Sequence, residues 1–135
     1  MRIMIVEDEF LLAMDLEDLI ITLGHQVVGP VASFNQAKDL ASEAEIALVD
    51  VRLTDGVTGP DIADLLTTHY GVTVVFMTAN PEAVSTSASA IGVIAKPYER
   101  EHIASAIAFA TAHREGRPAI KPQRLILLPR AAVLG

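Results

Sequence analysis

Four places in this chain carry residue types that can move a phosphoryl group: Glu7-Asp8-Glu9, Asp50, Thr78 and Lys96. Each closes an apolar run. Arg2 to Val6 leads to the first acids, Glu45 to Val49 to Asp50, Val72 to Met77 to Thr78, and Ile91 to Ala95 to Lys96. Taken one at a time, each has an ordinary explanation. Acids after a strand form a solvated turn, Asp8 or Thr78 caps a helix, and Lys96 is surface charge. Taken together they describe a reaction. Crowded carboxylates repel one another, and a divalent cation with oxygen ligands, Mg²⁺ by preference, offsets that repulsion. Asp50 then offers an oxygen nucleophile that can form an aspartyl-phosphate. Lys96 and Thr78 would balance charge on the phosphoryl oxygens.

This chemistry requires the four run ends to converge, so the fold decides the matter. The apolar runs are short and continuous, the pattern of strands buried on both faces. Between them lie segments of helical spacing. Phe10 to Leu23 sets Leu11, Leu12, Met14 (offset), Leu16, Leu19, Ile20 and Leu23 at helical spacing and ends at Gly24. Phe34 to Glu43 follows Ser33 as N-cap, Asp61 to His69 follows Pro60 in the first turn, and Glu99 to Arg114 ends at Gly116. Gln26 to Ala32 reads as a further strand, placed at a sheet edge or bent by Gly29-Pro30. Alternation of this kind predicts an α/β domain with a flavodoxin-like, doubly wound, five-stranded parallel sheet in the order 2-1-3-4-5. In that order the first and third strands are neighbours. Their carboxylates share the crevice at the carboxyl ends of the strands, where such sheets bind ligands.

Composition narrows the function. The chain has 135 residues, half of them hydrophobic, which suffices for one domain with its own core. A net charge of −7 disfavours nucleic acid as a partner, and the absence of cysteine excludes disulfides and thiolate chemistry. No apolar stretch has the length of a membrane span, and acids cut off the short apolar N-terminus, so the reading is a soluble, cytoplasmic protein. Residues 1–116 are expected to form the domain, and residues 117–135 a tail without a domain of its own. The tail's run Leu125-Ile126-Leu127-Leu128 is expected to pack on the domain. The segment Glu82 to Ala90 is rich in Ser and Ala, and predicts a short or frayed helix.

The sequence resembles the receiver domain of two-component response regulators. The resemblance covers Arg2 to Arg114 and rests on Ile5-Val6-Glu7-Asp8-Glu9, Leu48-Val49-Asp50-Val51-Arg52-Leu53 with Gly56 and Gly59, Phe76-Met77-Thr78-Ala79, and Lys96-Pro97-Tyr98. It implies that Asp50 accepts a phosphoryl group from a histidine kinase or histidine phosphotransfer protein. It further implies that Mg²⁺ is held by Asp8, by Asp50, by Glu7 through water and by the backbone carbonyl of Arg52. Thr78 would follow the phosphoryl group, Lys96 would pair with it, and Tyr98 would be the aromatic switch that reports phosphorylation. Thr78 and Lys96 stand closer together than is common, and the shortfall lies in the fourth helix. That resembles an atypical alphaproteobacterial subgroup in which the region is reduced. With no output domain following, the expectation is a stand-alone, chemotaxis-type receiver. It would catalyse only its own phosphorylation and dephosphorylation, and would act through a downstream protein, through a relay, or as a homodimer. The competing enzyme reading, an aspartate-nucleophile phosphatase of the haloacid-dehalogenase type, calls for a second acid two residues after the nucleophile. Arg52 occupies that position. A flavodoxin-like cofactor module would need a phosphate-cradling loop where Glu7-Asp8-Glu9 stands.

Overall fold

The computed structural model describes residues 1–134. Its elements in chain order are β1 (Arg2–Val6), α1 (Phe10–Thr22), β2 (Gln26–Val31), α2 (Phe34–Leu40), β3 (Ile46–Asp50), α3 (Gly59–Tyr70), β4 (Thr73–Thr78), β5 (Gly92–Ala95), α4 (Arg100–Arg114) and β6 (Leu125–Leu127). The sheet order is β2-β1-β3-β4-β5-β6. The first five strands are parallel, as the alternating pattern requires, with β3 flanked by β1 and β4. The sheet is not five-stranded, however. β6, from the tail, pairs antiparallel with β5 and becomes the edge.

Alternation along β1 shows how the two layers are filled. Ile3 and Ile5 join a buried cluster with Leu16, Leu19 and Ile20 of α1 and Ile103, Ala106 and Ile107 of α4. Met4 and Val6 face the other side, with Ala37 of α2 and Ile62, Ala63 and Leu66 of α3. Every residue of β3 is buried, which is why that strand reads as an unbroken apolar run. The capping prediction holds at Ser33, whose Oγ accepts the Gln36 N–H at 3.3 Å, and Gly71 ends α3 with φ of 64°. Asp8 is not a cap: the residue before α1 is Glu9, and its side chain makes no capping hydrogen bond. Gly59 opens α3 hard against β3, and a Cβ there would collide with the backbone of Asp50 and Val51. The Gly29-Pro30 and Lys96-Pro97 bonds are cis.

The β4–β5 connection and the tail pack close to each other. Between β4 and β5 there is no helix proper, only a 3₁₀ turn over Pro81–Val84. The Ser/Ala stretch after it has too little apolar surface to lay a helix on the sheet. It is tied down by polar contacts instead. Thr67 Oγ1 donates to the Ser89 carbonyl at 2.5 Å, and Ser89 Oγ donates to Asp64. Leu128 from the tail joins Val84, Ala90 and Val93 in the buried cluster on that side. Leu125 is buried on the opposite side, over Gly92, where any Cβ would lie 2.6 Å from its Cδ1. Each of these leucines contributes about 2 kcal/mol by burial. That anchors a tail which the alternating pattern alone could not place.

Candidate functional site

Register brings the predicted residues together. Val6 pairs with Val49, so Glu7 and Asp50 leave adjacent strands at one level. Asp50 pairs with Met77 and Thr78 with Ala95, and the Lys96 N–H donates to the Thr78 carbonyl at 2.8 Å. All four chemistry-bearing positions therefore lie at the carboxyl edge of the parallel strands. Oxygen atoms of Glu7, Asp8 and Asp50 fall within 4.8 Å of one another. Glu7 and Asp50 are buried and Asp8 is exposed. Lys96 Nζ bridges the two buried acids, 2.9 Å from Asp50 Oδ2 and 3.2 Å from Glu7 Oε1.

The electrostatics show what the pocket lacks. Burial drives the Glu7 carboxyl up to about 7, helped by its hydrogen bond with Asp50, while the Glu9 N–H and Lys96 pull the other way. Burial opposes the charge on Lys96, but its two carboxylate partners outweigh it and hold the ammonium above its ordinary value. One lysine thus sits among three carboxylates. A hard divalent cation suits this donor set, being all oxygen, charged, and open to solvent on the Asp8 side. Arg52 lies two residues beyond Asp50 in the exposed loop, where its side chain takes no part in the cluster.

Two orienting groups were invisible in the sequence because they are backbone amides. The Glu9 N–H donates to Glu7 Oε2 at 3.2 Å, and the Asn80 N–H donates to Thr78 Oγ1 at 3.0 Å. The second leaves the Thr78 hydroxyl proton free for another acceptor. Glu99, Glu101 and His102 also approach one another. Their arrangement is the start of α4, with the Glu99 N–H donating to His102 Nδ1 at 3.0 Å.

Tyr98 packs against the α1–α4 side of the core, and its hydroxyl is buried with no hydrogen-bond partner among the described residues. Burial, and then Glu7, push that phenol up to about 12. An orphaned hydroxyl costs about 1–3 kcal/mol. Tyr98→Phe should therefore raise the melting temperature by several degrees, about 4 °C per kcal/mol, as a thermal melt by circular dichroism would show.

Residues 3–108 match the family model for the response regulator receiver domain. The chain belongs to the response-regulator receiver family. It is 38% identical over 114 residues to the phyllosphere-induced regulator PhyR of Methylorubrum extorquens, a match covering 81% of this chain and 43% of that protein. The receiver domain of Erythrobacter litoralis PhyR, solved by NMR, superposes with a TM-score of 0.75 at 30% identity, covering 88% of this chain and 95% of that one. The Bartonella quintana PhyR, described as an anti-anti-sigma factor, superposes with a TM-score of 0.72 at 30% identity, covering 84% and 48%. This receiver thus spans about half the length of the full-length relatives it matches. Among its described residues no helix is long and apolar enough to cross a membrane.

Proposed function

We propose that this receiver accepts a phosphoryl group on Asp50 from a phosphohistidine donor, a histidine kinase or a histidine phosphotransfer protein, in the cytoplasm. The observation that carries the reading is the pairing of Asp50 with Lys96 at 2.9 Å inside a cluster of three carboxylates at the strand ends. An Asp50 oxygen attacks phosphorus, the P–N bond breaks, and the imidazole leaves neutral after taking a proton. Lys96 then exchanges its contact with bare carboxylate for one with a phosphoryl oxygen. Thr78, held by the Asn80 amide, turns its free hydroxyl proton to the same group. Glu7, Asp8 and Asp50, with the Arg52 carbonyl, would hold Mg²⁺, which when bound supplies charge neutralisation for the phosphoryl oxygens. Tyr98 exchanges its unsatisfied inward position for an outward one and so carries the change to the surface.

The output is a protein–protein interaction, the coarser form of what is described for the Bartonella relative. Hydrolysis of the aspartyl-phosphate returns the domain to its starting state, with no turnover of a free substrate. Intact-mass spectrometry after treatment with acetyl phosphate tests the reading. A gain of one phosphoryl group with Mg²⁺, absent with EDTA, is expected. No gain with either acetyl phosphate or a phosphorylated histidine donor would overturn it.

The donor needs a place to dock. Beside the acids, α1 exposes Phe10, Leu11 and Met14 at 72%, 74% and 53%. Large apolar side chains this exposed at the rim of a reactive crevice fit the core of a transient interface. Charging the rim with Phe10→Glu and Leu11→Glu should slow phosphotransfer from a histidine donor at least about tenfold. The rate with acetyl phosphate should stay unchanged. Equal slowing of both reactions would place the defect in the pocket instead.

A further inference from the structure

At the opposite end of the sheet from Asp50, about 16 Å along β4, lies a cavity of about 320 Å³ between the start of β4, the end of α4 and the tail. Its floor is Val72, Val74 and Ile91, and its polar wall is His113, Arg114 and Arg130. No acidic residue lines it.

The two guanidiniums are aimed by backbone carbonyls. Arg114 Nη1 donates to the Gly71 carbonyl at 2.8 Å and to Thr73 Oγ1 at 3.2 Å, and Arg130 Nη1 donates to the Ala88 carbonyl at 3.3 Å. Each guanidinium has five N–H donors in a rigid fork, so donors remain on both. Among the described residues neither arginine forms an ion pair, whereas Arg2, Lys96, Arg100 and Arg117 all do. The Glu45 carboxylate, which feels Arg114, is engaged with Arg2 at 3.6 Å. This arrangement occurs in a chain with seventeen acids and ten basic residues. Half of those basic residues fall within residues 114–135, beside a single acid, Glu115. Of these five, Arg114 and Arg130 line the cavity, while Arg117 pairs with Glu115 and Arg124 lies beside Lys96 at the other end of the sheet. His113 registers the consequence: burial first, then Arg130 and Arg114, hold its imidazole below its ordinary value.

We propose that this cavity binds a small oxyanion of the phosphate class, with Arg114 and Arg130 as its two charged arms. Arg114 belongs to α4 and Arg130 to the tail, so the bound anion would bridge them. The Arg130 end follows directly on Leu128, whose N–H donates to the Ile91 carbonyl at 3.0 Å. Anion binding therefore fastens β6 to the sheet edge. The recessed apolar floor suits a compact ion rather than an extended acidic peptide, and a phosphate matches guanidinium forks in pairs.

The test follows the His113 imidazole by proton NMR during titration with inorganic phosphate in EDTA, where the carboxylate cluster around Asp50 repels anions. A saturable shift is expected, with His113 titrating at higher pH when phosphate is bound and the Leu128 amide exchanging more slowly. Arg130→Gln, on an exposed residue, should weaken binding at least about tenfold, the loss of one charge-assisted hydrogen bond. Arg117→Gln, outside the cavity, should leave it unchanged. Repeating the titration with adenosine monophosphate separates the two sources of the anion. Tighter binding than inorganic phosphate means a phosphate carried on a metabolite, and equal binding means the free ion. A shift that never saturates, or one indifferent to Arg130→Gln, would overturn the proposal.

Discussion

Asp50→Asn should yield a folded protein whose phosphoryl uptake from acetyl phosphate falls at least about a thousandfold, because the anionic oxygen that forms the new bond is gone. The amide is nearly isosteric with the carboxylate and keeps an oxygen for Lys96, now 2.9 Å from Asp50 Oδ2. It also removes one of three crowded carboxylates, so Glu7 loses a neighbour that helps drive its carboxyl up. Stability in the absence of Mg²⁺ should accordingly stay level or rise. Intact-mass spectrometry beside a circular dichroism melt reads both halves. Asp50→Ala should give the same chemical result. Labelling of either variant at the wild-type rate would move the phosphoacceptor elsewhere and remove the basis of the proposed function.

How much of this was legible in the sequence depended on whether a feature is local. Strands buried on both faces announce themselves as apolar runs, so β1, β3, β4 and β5 were readable to within a residue or two. Right-handed crossover then fixes their order almost without choice. Asp50, Glu7 and Lys96 were readable for the same reason: each ends such a run, and parallel strands in register put run ends side by side. That the tail's apolar run packs on the domain was readable, but its place as the sheet's edge strand was not. Leu125 could be placed only by knowing that Gly92 leaves room for it on the neighbouring strand, a relation between residues far apart in the chain. The segment from Pro81 to Ala90 was legible only as poor helix. That its anchors are a Thr67 hydroxyl and an Asp64 carboxylate depends on how α3 is rotated. Backbone amides such as those of Glu9 and Asn80 leave no mark in sequence, since every residue except proline has one.

The tail and the shortened β4–β5 connection meet in one structure. Leu128 lies with Val84 and Ala90, the residues flanking the Ser/Ala stretch, while β6 hydrogen-bonds to β5, which leads directly to Lys96 and Tyr98. A change at the phosphoacceptor end that moves Thr78 or Tyr98 therefore acts on the strand that carries the tail.

Glu7→Gln should have the largest effect on stability of any single change in the pocket. The folded protein holds the Glu7 carboxyl up at about 7, against about 4.5 in the ordinary case, with burial the foremost cause. A carboxyl raised on folding binds more protons in the native state than in the unfolded chain throughout that window. In EDTA its contribution to stability is therefore full below about 4.5 and is lost as pH rises to about 7. One unit of pKa is worth about 1.4 kcal/mol, so the loss is on the order of 3 kcal/mol. Glutamine imitates the protonated carboxyl and does not titrate. At pH 8 in EDTA the variant should melt about 10 °C above the wild type, and at pH 4 the two should melt together. Mg²⁺ should nearly close the gap at pH 8. Bound only by the native state, at a hundredfold excess over its dissociation constant it returns about 2.7 kcal/mol to the wild type, and far less to a variant that has lost an acid from the cluster. Thermal melts of both proteins at pH 4 and pH 8, each with EDTA and with Mg²⁺, measure all four corners. Equal melting temperatures at pH 8 in EDTA would mean that the Glu7 carboxyl is not raised on folding, and that Lys96 alone balances the pocket.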